Sequence, residues 1–365
     1  MNICILIRSL AHGGAEKQCL MLNKALQDFA NPHLIIIDDE PKHEKHVQYI
    51  EREGISHHFL EGSMPQKFSS LRRYLREKKV DILFTYLPSD TIIGGLAGKL
   101  ESVPLVIGGI RNAKLGYWKR LVLKQIYDRC LDYAISNSYT GRDNFIEYGY
   151  SAERLLVMPN GLELQQQKRY RSPKEELTII SVGRYVEQKD YETGLKTFRR
   201  LLDQQSGGPK LKLQLIGYGE LESQIRAWIT QYKLDEQVEM VISPPNLGDY
   251  YEAADLYLCT SLVEGLSNSV MEAMSYSLPV IATDAGDNHQ LAREGQNGFI
   301  CPIGDVEGLS QSLSKLVNDD ELRAEFGSRS FDIIEENYTY EAFQRNYIRL
   351  IQELTQKRSP EGVEP

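Results

Sequence analysis

The sequence predicts an α/β protein of two doubly wound, Rossmann-like parallel-sheet domains facing across a cleft, and three observations predict it. Its 365 residues exceed one comfortable core, so two domains of about 150 to 200 residues are expected. Short apolar runs alternate with longer amphipathic stretches, which is the pattern of parallel sheets covered by helices on both faces. The alternation restarts at "RYRSPKEELTIISVGR", where a charged segment containing Pro173 precedes a fresh apolar run. These signals place one domain at residues 1–165, a linker at about 164–176 and a second domain at 176–339. A C-terminal helix at 340–358 is expected to cross back to the first domain.

Taken in order, "NICILI", "HLIIID", "DILFTY", "LVIGG" and "YAIS" read as strands of the first domain. "LTIISVG", "KLQLIG", "VEMVI", "LYLCT", "PVIAT" and "GFICP" read as strands of the second. Helices are expected between them, for example over 15–28 and 221–232, and the apolar spacing of Phe343, Tyr347, Leu350, Ile351 and Leu354 predicts the last one. The opening "MNICILIRSLAHGGAE" lacks a basic region before a short apolar run and reads as a buried strand.

Charged content of 25% with no apolar run near the roughly 18 residues of a membrane span points to a soluble globular protein. Cys4, Cys19, Cys130, Cys259 and Cys301 are odd in number, scattered and without Cys-x-x-Cys spacing, which suits reduced core residues in a cytoplasm. The net charge of −9 disfavours a nucleic-acid partner. It divides unevenly: residues 1–175 hold 25 Lys+Arg against 20 Asp+Glu, and the remainder 17 against 31. A basic first half suits an anionic membrane surface.

Three strand-to-helix turns could hold a phosphate. Gly13 and Gly14 precede a helix start, where backbone can approach a ligand and unpaired N–H groups meet an anion; a tight turn explains the pair equally well. In "SVGRYVEQKD", Arg184 and Lys189 lie five apart at the carboxyl end of a strand, where two cations suit a diphosphate and a solvated loop is the alternative. Gly217 and Gly219 lack the third glycine of a dinucleotide fingerprint and read as a structural turn.

The stretch "EGLSNSVMEAM" carries the most chemistry. Glu264 falls in a loop, Ser267 or Asn268 is a natural N-cap, and Glu272 lies about one turn inside the helix that follows. A carboxylate accepts from hydroxyls, so two of them flanking an anion-binding helix end can grip one diol on each side of a diphosphate. A nucleoside-diphosphate sugar has that layout.

The segment from "EGLSNSVMEAM" to "PVIAT" resembles the signature of the retaining glycosyltransferases of family 4, which have the GT-B fold. "GGAE", "MPNGLEL", "SVGRYVEQKD" and "EGQNGFICPIGD" resemble further elements of that family in the same order, over nearly the whole chain. The resemblance implies that Glu264 meets the donor sugar hydroxyls, Glu272 the ribose, Arg184 and Lys189 the departing diphosphate, and Gly14 the phosphates. It also implies backbone contacts from Leu266, Ser267 and Asn268, and base contacts near Ile242 and Ser243. Two departures stand out. Many members carry a His in the segment that reads "VIGGIRNAKLGYW" here, with Arg111 and Asn112, and His12 reads as a local turn residue. Asp287 occupies a position often filled by Gly, and either tunes donor choice or sits in a surface turn.

The implied reaction moves a hexose or N-acetylhexosamine, with retention, from a nucleoside-diphosphate sugar, foremost a UDP-sugar, to a lipid-linked or oligosaccharide acceptor of bacterial surface polysaccharide. The family is thought to let a leaving-phosphate oxygen take the acceptor proton, so no protein base is required. No Asp-x-Asp motif sits at a strand end, which predicts metal-independent chemistry with no cofactor beyond the donor. In "RNAKLGYWKRLVLKQIYDR", Arg111, Lys114, Lys119, Arg120 and Lys124 interleave with Leu115, Tyr117, Trp118, Leu121 and Val122, and "SLRRYLREKK" adds a second basic cluster. Each reads either as a surface segment on the inner face of the cell membrane or as an ordinary amphipathic core helix. The competing functions are a nucleotide-sugar epimerase, disfavoured by the scarcity of His, and a catalytically idle nucleotide-sugar-binding module, disfavoured by the presence of Glu264, Arg184 and Lys189.

Overall fold

A computed structural model describes residues 1–357 apart from 12, 111–115, 165 and 171, and within the helix beginning at Tyr117 that side chain is also outside the description. The chain divides into two compact units. The first comprises Met1–Gly161 with the C-terminal segment from Tyr340, and the second is Leu162–Thr339.

The first unit runs β1 (Asn2–Ile7), α1 (Gly14–Leu26), β2 (Asn31–Ile36), α2 (Glu44–Arg52), β3 (His57–Phe59), α3 (Met64–Glu77), β4 (Ile82–Thr85), α4 (Pro88–Leu100), β5 (Leu105–Ile110), α5 (Tyr117–Cys130), β6 (Tyr133–Ser136), α6 (Tyr139–Glu147) and β7 (Leu155–Val157). The second runs β8 (Glu176–Val182), α7 (Tyr191–Gln204), β9 (Lys210–Gly217), α8 (Glu222–Gln231), β10 (Val238–Ile242), α9 (Gly248–Ala253), β11 (Leu256–Cys259), α10 (Asn268–Ser275), β12 (Val280–Thr283), α11 (Asn288–Leu291), β13 (Gly298–Cys301), α12 (Val306–Val317) and α13 (Asp320–Asn337). Helix α14 (Tyr340–Gln356) then joins the first unit.

Both sheets are parallel throughout. Their orders are β3-β2-β1-β4-β5-β6-β7 and β10-β9-β8-β11-β12-β13. Central strands buried on both faces read as continuous apolar runs, which is why Ile3, Ile5 and Ile7 and also Cys4 and Leu6 are buried in β1. Each sheet reverses direction once, between β1 and β4 and between β8 and β11. Such a reversal opens a crevice at the carboxyl ends of the two strands.

In the first unit, the core under β1 and β4 includes Phe343, Tyr347, Ile351 and Leu354 of α14. Helix α1 is tied to the end of this unit by Gln18, whose amide accepts from the Gly161 N–H and donates to the Gly161 carbonyl, each at 2.8 Å. Asp90, fully buried in the first turn of α4, accepts from the Leu87 N–H at 3.1 Å and from Ser89 Oγ at 3.0 Å. Burial pushes its pKa up to about 7, against the pull of those donors, of the Arg8 N–H and of the Arg8 charge.

The two basic stretches part company here. Helix α3 buries Leu71 and Leu75, and its Arg72 and Arg76 both pair with Glu101, so it is an amphipathic core helix. Helix α5 buries Leu123 and Tyr127 but exposes Trp118, Leu121 and Val122. Arg111, Asn112, Lys114, Leu115 and His12 lie outside the described residues.

Candidate active site

In the second unit, the loop after β8 and the loop after β11 meet at the point where the strand order reverses. On the other side of β8, a Cβ on Gly217 would overlap the Gly183 carbonyl oxygen, so the ends of β8 and β9 approach as only a glycine at 217 permits. Gly219 likewise packs its backbone on that of Tyr185, giving the Gly217 and Gly219 pair a structural task.

Beyond Gly183 the chain passes Arg184, which is exposed and makes no ion pair among the described residues, and makes a short turn at Glu187–Lys189. Asp190 then takes a left-handed conformation (φ 45°) and caps α7 by accepting from the Thr193 N–H. Lys189 thereby turns back toward the loop after β11, where its Nζ lies 2.6 Å from Glu264 Oε1. Lys189 and Glu264 are both largely buried. Burial by itself would lower the Lys189 pKa, and the Glu264 charge and hydrogen bond outweigh it, so the ammonium titrates above its ordinary range. The Lys189 ammonium is therefore charged throughout the neutral range.

The two loops are also joined through their backbones. Leu262 N–H donates to the Gln188 carbonyl at 2.8 Å and Gln188 Nε2 to the Val263 carbonyl at 2.6 Å. Thr260 Oγ1 donates to the Asp190 carbonyl at 2.8 Å. Ser261 Oγ donates to Glu264 Oε1 at 2.7 Å. Sequence reasoning missed Gln188, Thr260 and Ser261, since their partners are set by the β8–β11 pairing and not by local spacing.

Helix α10 begins at Asn268 with Ser267 as its N-cap, and the Ser267 side chain makes no capping bond. Helix α10 thus starts directly after the loop that carries Glu264. Leu266 and Ser267 are buried, and Asn268 is partly so. Glu272 sits one turn inside α10 and takes the Tyr251 hydroxyl at 3.4 Å. Burial, then the Glu272 charge, raises the Tyr251 pKa well above its ordinary value, so this phenol remains a donor.

Ile242 ends β10 with an exposed side chain, and Ser243 follows in a left-handed conformation (φ 45°) with its N–H on the Gly217 carbonyl at 3.1 Å. Asp287 is 1% exposed, which removes the surface-turn reading. Its N–H donates to the Gly265 carbonyl at 3.0 Å, and Gly286 before it needs φ 60° and leaves no room for a Cβ against the Glu264 carbonyl.

Gly13 and Gly14 belong to the first unit. Gly13 is the extended N-cap residue of α1, and the Glu16 carboxylate folds back onto the place where its Cβ would stand. A Cβ at Gly13 would displace only the flexible end of Glu16, and the extended backbone there suits any residue. Among the described residues, no group of three or more His, Cys, Asp or Glu side chains is placed to hold a metal ion. The acids of "IIIDDEPKH" face cations: Asp38 pairs with Arg8 and Lys67, and Asp39 with Lys42.

A lysine, an arginine, a carboxylate and a helix start thus lie on the two loops at one strand-order reversal. Two family models match the chain: glycosyltransferase family 4 over residues 12–166 and glycosyl transferases group 1 over residues 163–332. The chain belongs to these glycosyltransferases. It is 24% identical over 352 residues to the N-acetylgalactosamine-N,N'-diacetylbacillosaminyl-diphospho-undecaprenol 4-alpha-N-acetylgalactosaminyltransferase of Campylobacter jejuni, covering 89% of this chain and 93% of that protein. It is 23% identical to the lipopolysaccharide core biosynthesis glycosyltransferase LpsE of Rhizobium meliloti over 77% of this chain and 78% of the relative. Among solved structures, Anabaena HepE in complex with UDP superposes with a TM-score of 0.83 at 18% identity, over 97% of this chain and all of that one. The glycosyltransferase therefore has the GT-B fold.

Proposed function

We propose that this glycosyltransferase moves a hexose or N-acetylhexosamine from a UDP-sugar to a lipid-linked glycan in bacterial surface polysaccharide assembly, with retention at the anomeric carbon. The observation that carries the reading is the Lys189–Glu264 pair at the β8–β11 reversal, in two loops of which one also carries Arg184 and the other leads into α10. The names of the Campylobacter and Rhizobium relatives support the acceptor class, and the UDP of the Anabaena complex supports the nucleotide.

When the bond from the anomeric carbon to the diphosphate oxygen breaks, negative charge grows on the diphosphate and positive charge on the sugar ring. Arg184 supplies a planar fork of donors, Lys189 a point charge, and α10 its first N–H groups, all fixed where the charge appears. Glu264 accepts from sugar hydroxyls and Glu272 from the ribose diol. Backbone at Leu266, Ser267 and Asn268 meets sugar and phosphate, and Ile242 with Ser243 borders the base. A leaving-phosphate oxygen takes the acceptor proton, so the step needs neither a protein base nor a metal.

The test is a thermal-shift and hydrolysis screen of UDP-, GDP-, ADP- and TDP-sugars with and without chelator. A selective shift for UDP-sugars with slow, chelator-insensitive nucleotide release is expected. No shift with any donor would remove the reading, and release abolished by chelator would remove its metal independence.

For the acceptor side we propose contact with an anionic membrane surface through α5, where exposed Trp118, Leu121 and Val122 interleave with Lys119 and Arg120. No helix among the described residues is long and apolar enough to cross a membrane. The chain should float with vesicles containing phosphatidylglycerol and release in high salt, and Trp118→Ser should weaken this about fivefold or more. Equal flotation with neutral vesicles, or an unaffected Trp118→Ser variant, would exclude α5 as the contact.

A further inference from the structure

Two bonds on one oxygen distinguish Ser261 from its neighbours. Glu264 Oε1 accepts Lys189 Nζ at 2.6 Å and Ser261 Oγ at 2.7 Å, whereas Oε2 takes no protein donor among the described residues. Ser261 is 1% exposed and held from behind. Its carbonyl accepts Thr283 Oγ1 of β12 at 2.6 Å, and its Oγ lies 3.4 Å from Cys259 Sγ, which in turn lies 3.7 Å from Asn288 Nδ2. The Ser261 side chain is thereby held in place, with the Glu264 carboxylate the nearer of its two side-chain partners.

We propose that Ser261 is a positioning residue for donor-sugar recognition, holding the Glu264 carboxylate so that Oε2 faces a sugar hydroxyl. The inference rests on the donor reading given above and adds the group that keeps Glu264 aimed. Its logic follows from what Lys189 must do. The Lys189 ammonium has three N–H donors but one charge, so sharing it with a diphosphate weakens its hold on Glu264. Ser261 is the donor on Oε1 whose bond the diphosphate does not draw on. The side-chain bonds from Gln188 and Thr260 to backbone carbonyls hold the two loops in register, but they do not touch the Glu264 side chain. Among the described residues, Ser261 and Lys189 alone bond to the carboxylate itself.

The experiment measures affinity for UDP and for UDP-glucose, or for the corresponding pair selected in the donor screen, in the wild type and in Ser261→Ala, Ser261→Thr and Ser261→Val. Loss of a hydrogen bond to a charged group predicts about tenfold weaker binding of the nucleotide sugar in Ser261→Ala, with the nucleoside diphosphate changed by less than about twofold. Ser261→Thr should restore most of the difference and Ser261→Val, matched in shape but without the hydroxyl, should not. In a Glu264→Ala background, Ser261→Ala should have no further effect on the nucleotide sugar.

Equal weakening of both ligands, or an undiminished effect in the Glu264→Ala background, would assign Ser261 to packing alone and overturn the proposal, as would full affinity in Ser261→Ala. If Ser261→Ala fails to fold, the Thr and Val pair decides the matter in the same way. A wild-type protein that binds no nucleotide sugar overturns the donor reading itself, which separates the two failures.

Discussion

Lys189→Ala should lower the transfer rate by about 10²- to 10³-fold, the usual effect of removing one fixed donor from a developing oxyanion. The loss should fall on kcat more than on KM, because the contact strengthens as the diphosphate departs. The fold will also feel the change. Glu264 is 8% exposed and would keep only Ser261 as a donor on Oε1, and an incompletely compensated buried charge costs about 1 to 3 kcal/mol. The double variant Lys189→Ala with Glu264→Gln should recover part of that stability and none of the activity. Steady-state kinetics with urea unfolding on the same samples separates the two effects. A Lys189→Ala enzyme with wild-type kcat would exclude the diphosphate role.

Asp90→Asn should change how stability depends on pH. The folded pKa of about 7 lies above the ordinary Asp value of 3.8, so between these limits the folded chain holds a proton that the unfolded chain has lost. The stability associated with the protonated form is complete below about pH 4 and is lost as pH rises through about 7. An asparagine is neutral at every pH and keeps an acceptor for the Leu87 N–H. The unfolding free energy of the wild type relative to Asp90→Asn should therefore fall by about 2 to 3 kcal/mol between pH 5 and pH 8, at 1.36 kcal/mol per pKa unit. Urea titrations of both proteins at the two pH values would show it. A difference that stays constant with pH would mean that Asp90 is ionised in the native protein across that range.

The fold was readable wherever burial is symmetric. The central strands are apolar on both faces and bounded by turns, so β1, β2, β4, β5, β6, β8, β9, β11 and β12 stand out as runs, and the outer strands β10 and β13 of the second sheet are apolar enough in sequence to be read as well. The two that do not are β3 and β7, three residues each and the outer strands of the first sheet. An edge strand such as "HHF" has one solvated side and little apolar content, so its pattern is that of a loop. Helix bounds differed by a residue or two at α1 and α8, where capping and fraying decide the last turn.

The site was legible to a different degree. Arg184, Lys189, Glu264 and the start of α10 could be placed because a strand end, a loop and an N-cap are local features. Their mutual geometry could not. That Lys189 meets Glu264, and that Ser261 meets the same oxygen, depends on β8 and β11 lying side by side although 75 residues separate the lysine from the glutamate. The burial of Asp287 is likewise a contact with the Gly265 carbonyl and has no signature in its own neighbourhood. For the basic stretches, amphipathic spacing was common to α3 and α5, and the outcome turned on which face each helix had available to bury.

The position of α14 bears on the order in which the protein can be made. Phe343, Tyr347, Ile351 and Leu354 belong to the core beneath β1 and β4, yet a ribosome delivers them after every residue of the second unit. Leu162–Thr339 has all its own strands as soon as it emerges. Met1–Gly161 must wait with an apolar face uncovered until about 180 further residues have been added. The first unit begun is thus the last one finished, and chaperone demand during synthesis should concentrate on the groove that α14 eventually fills.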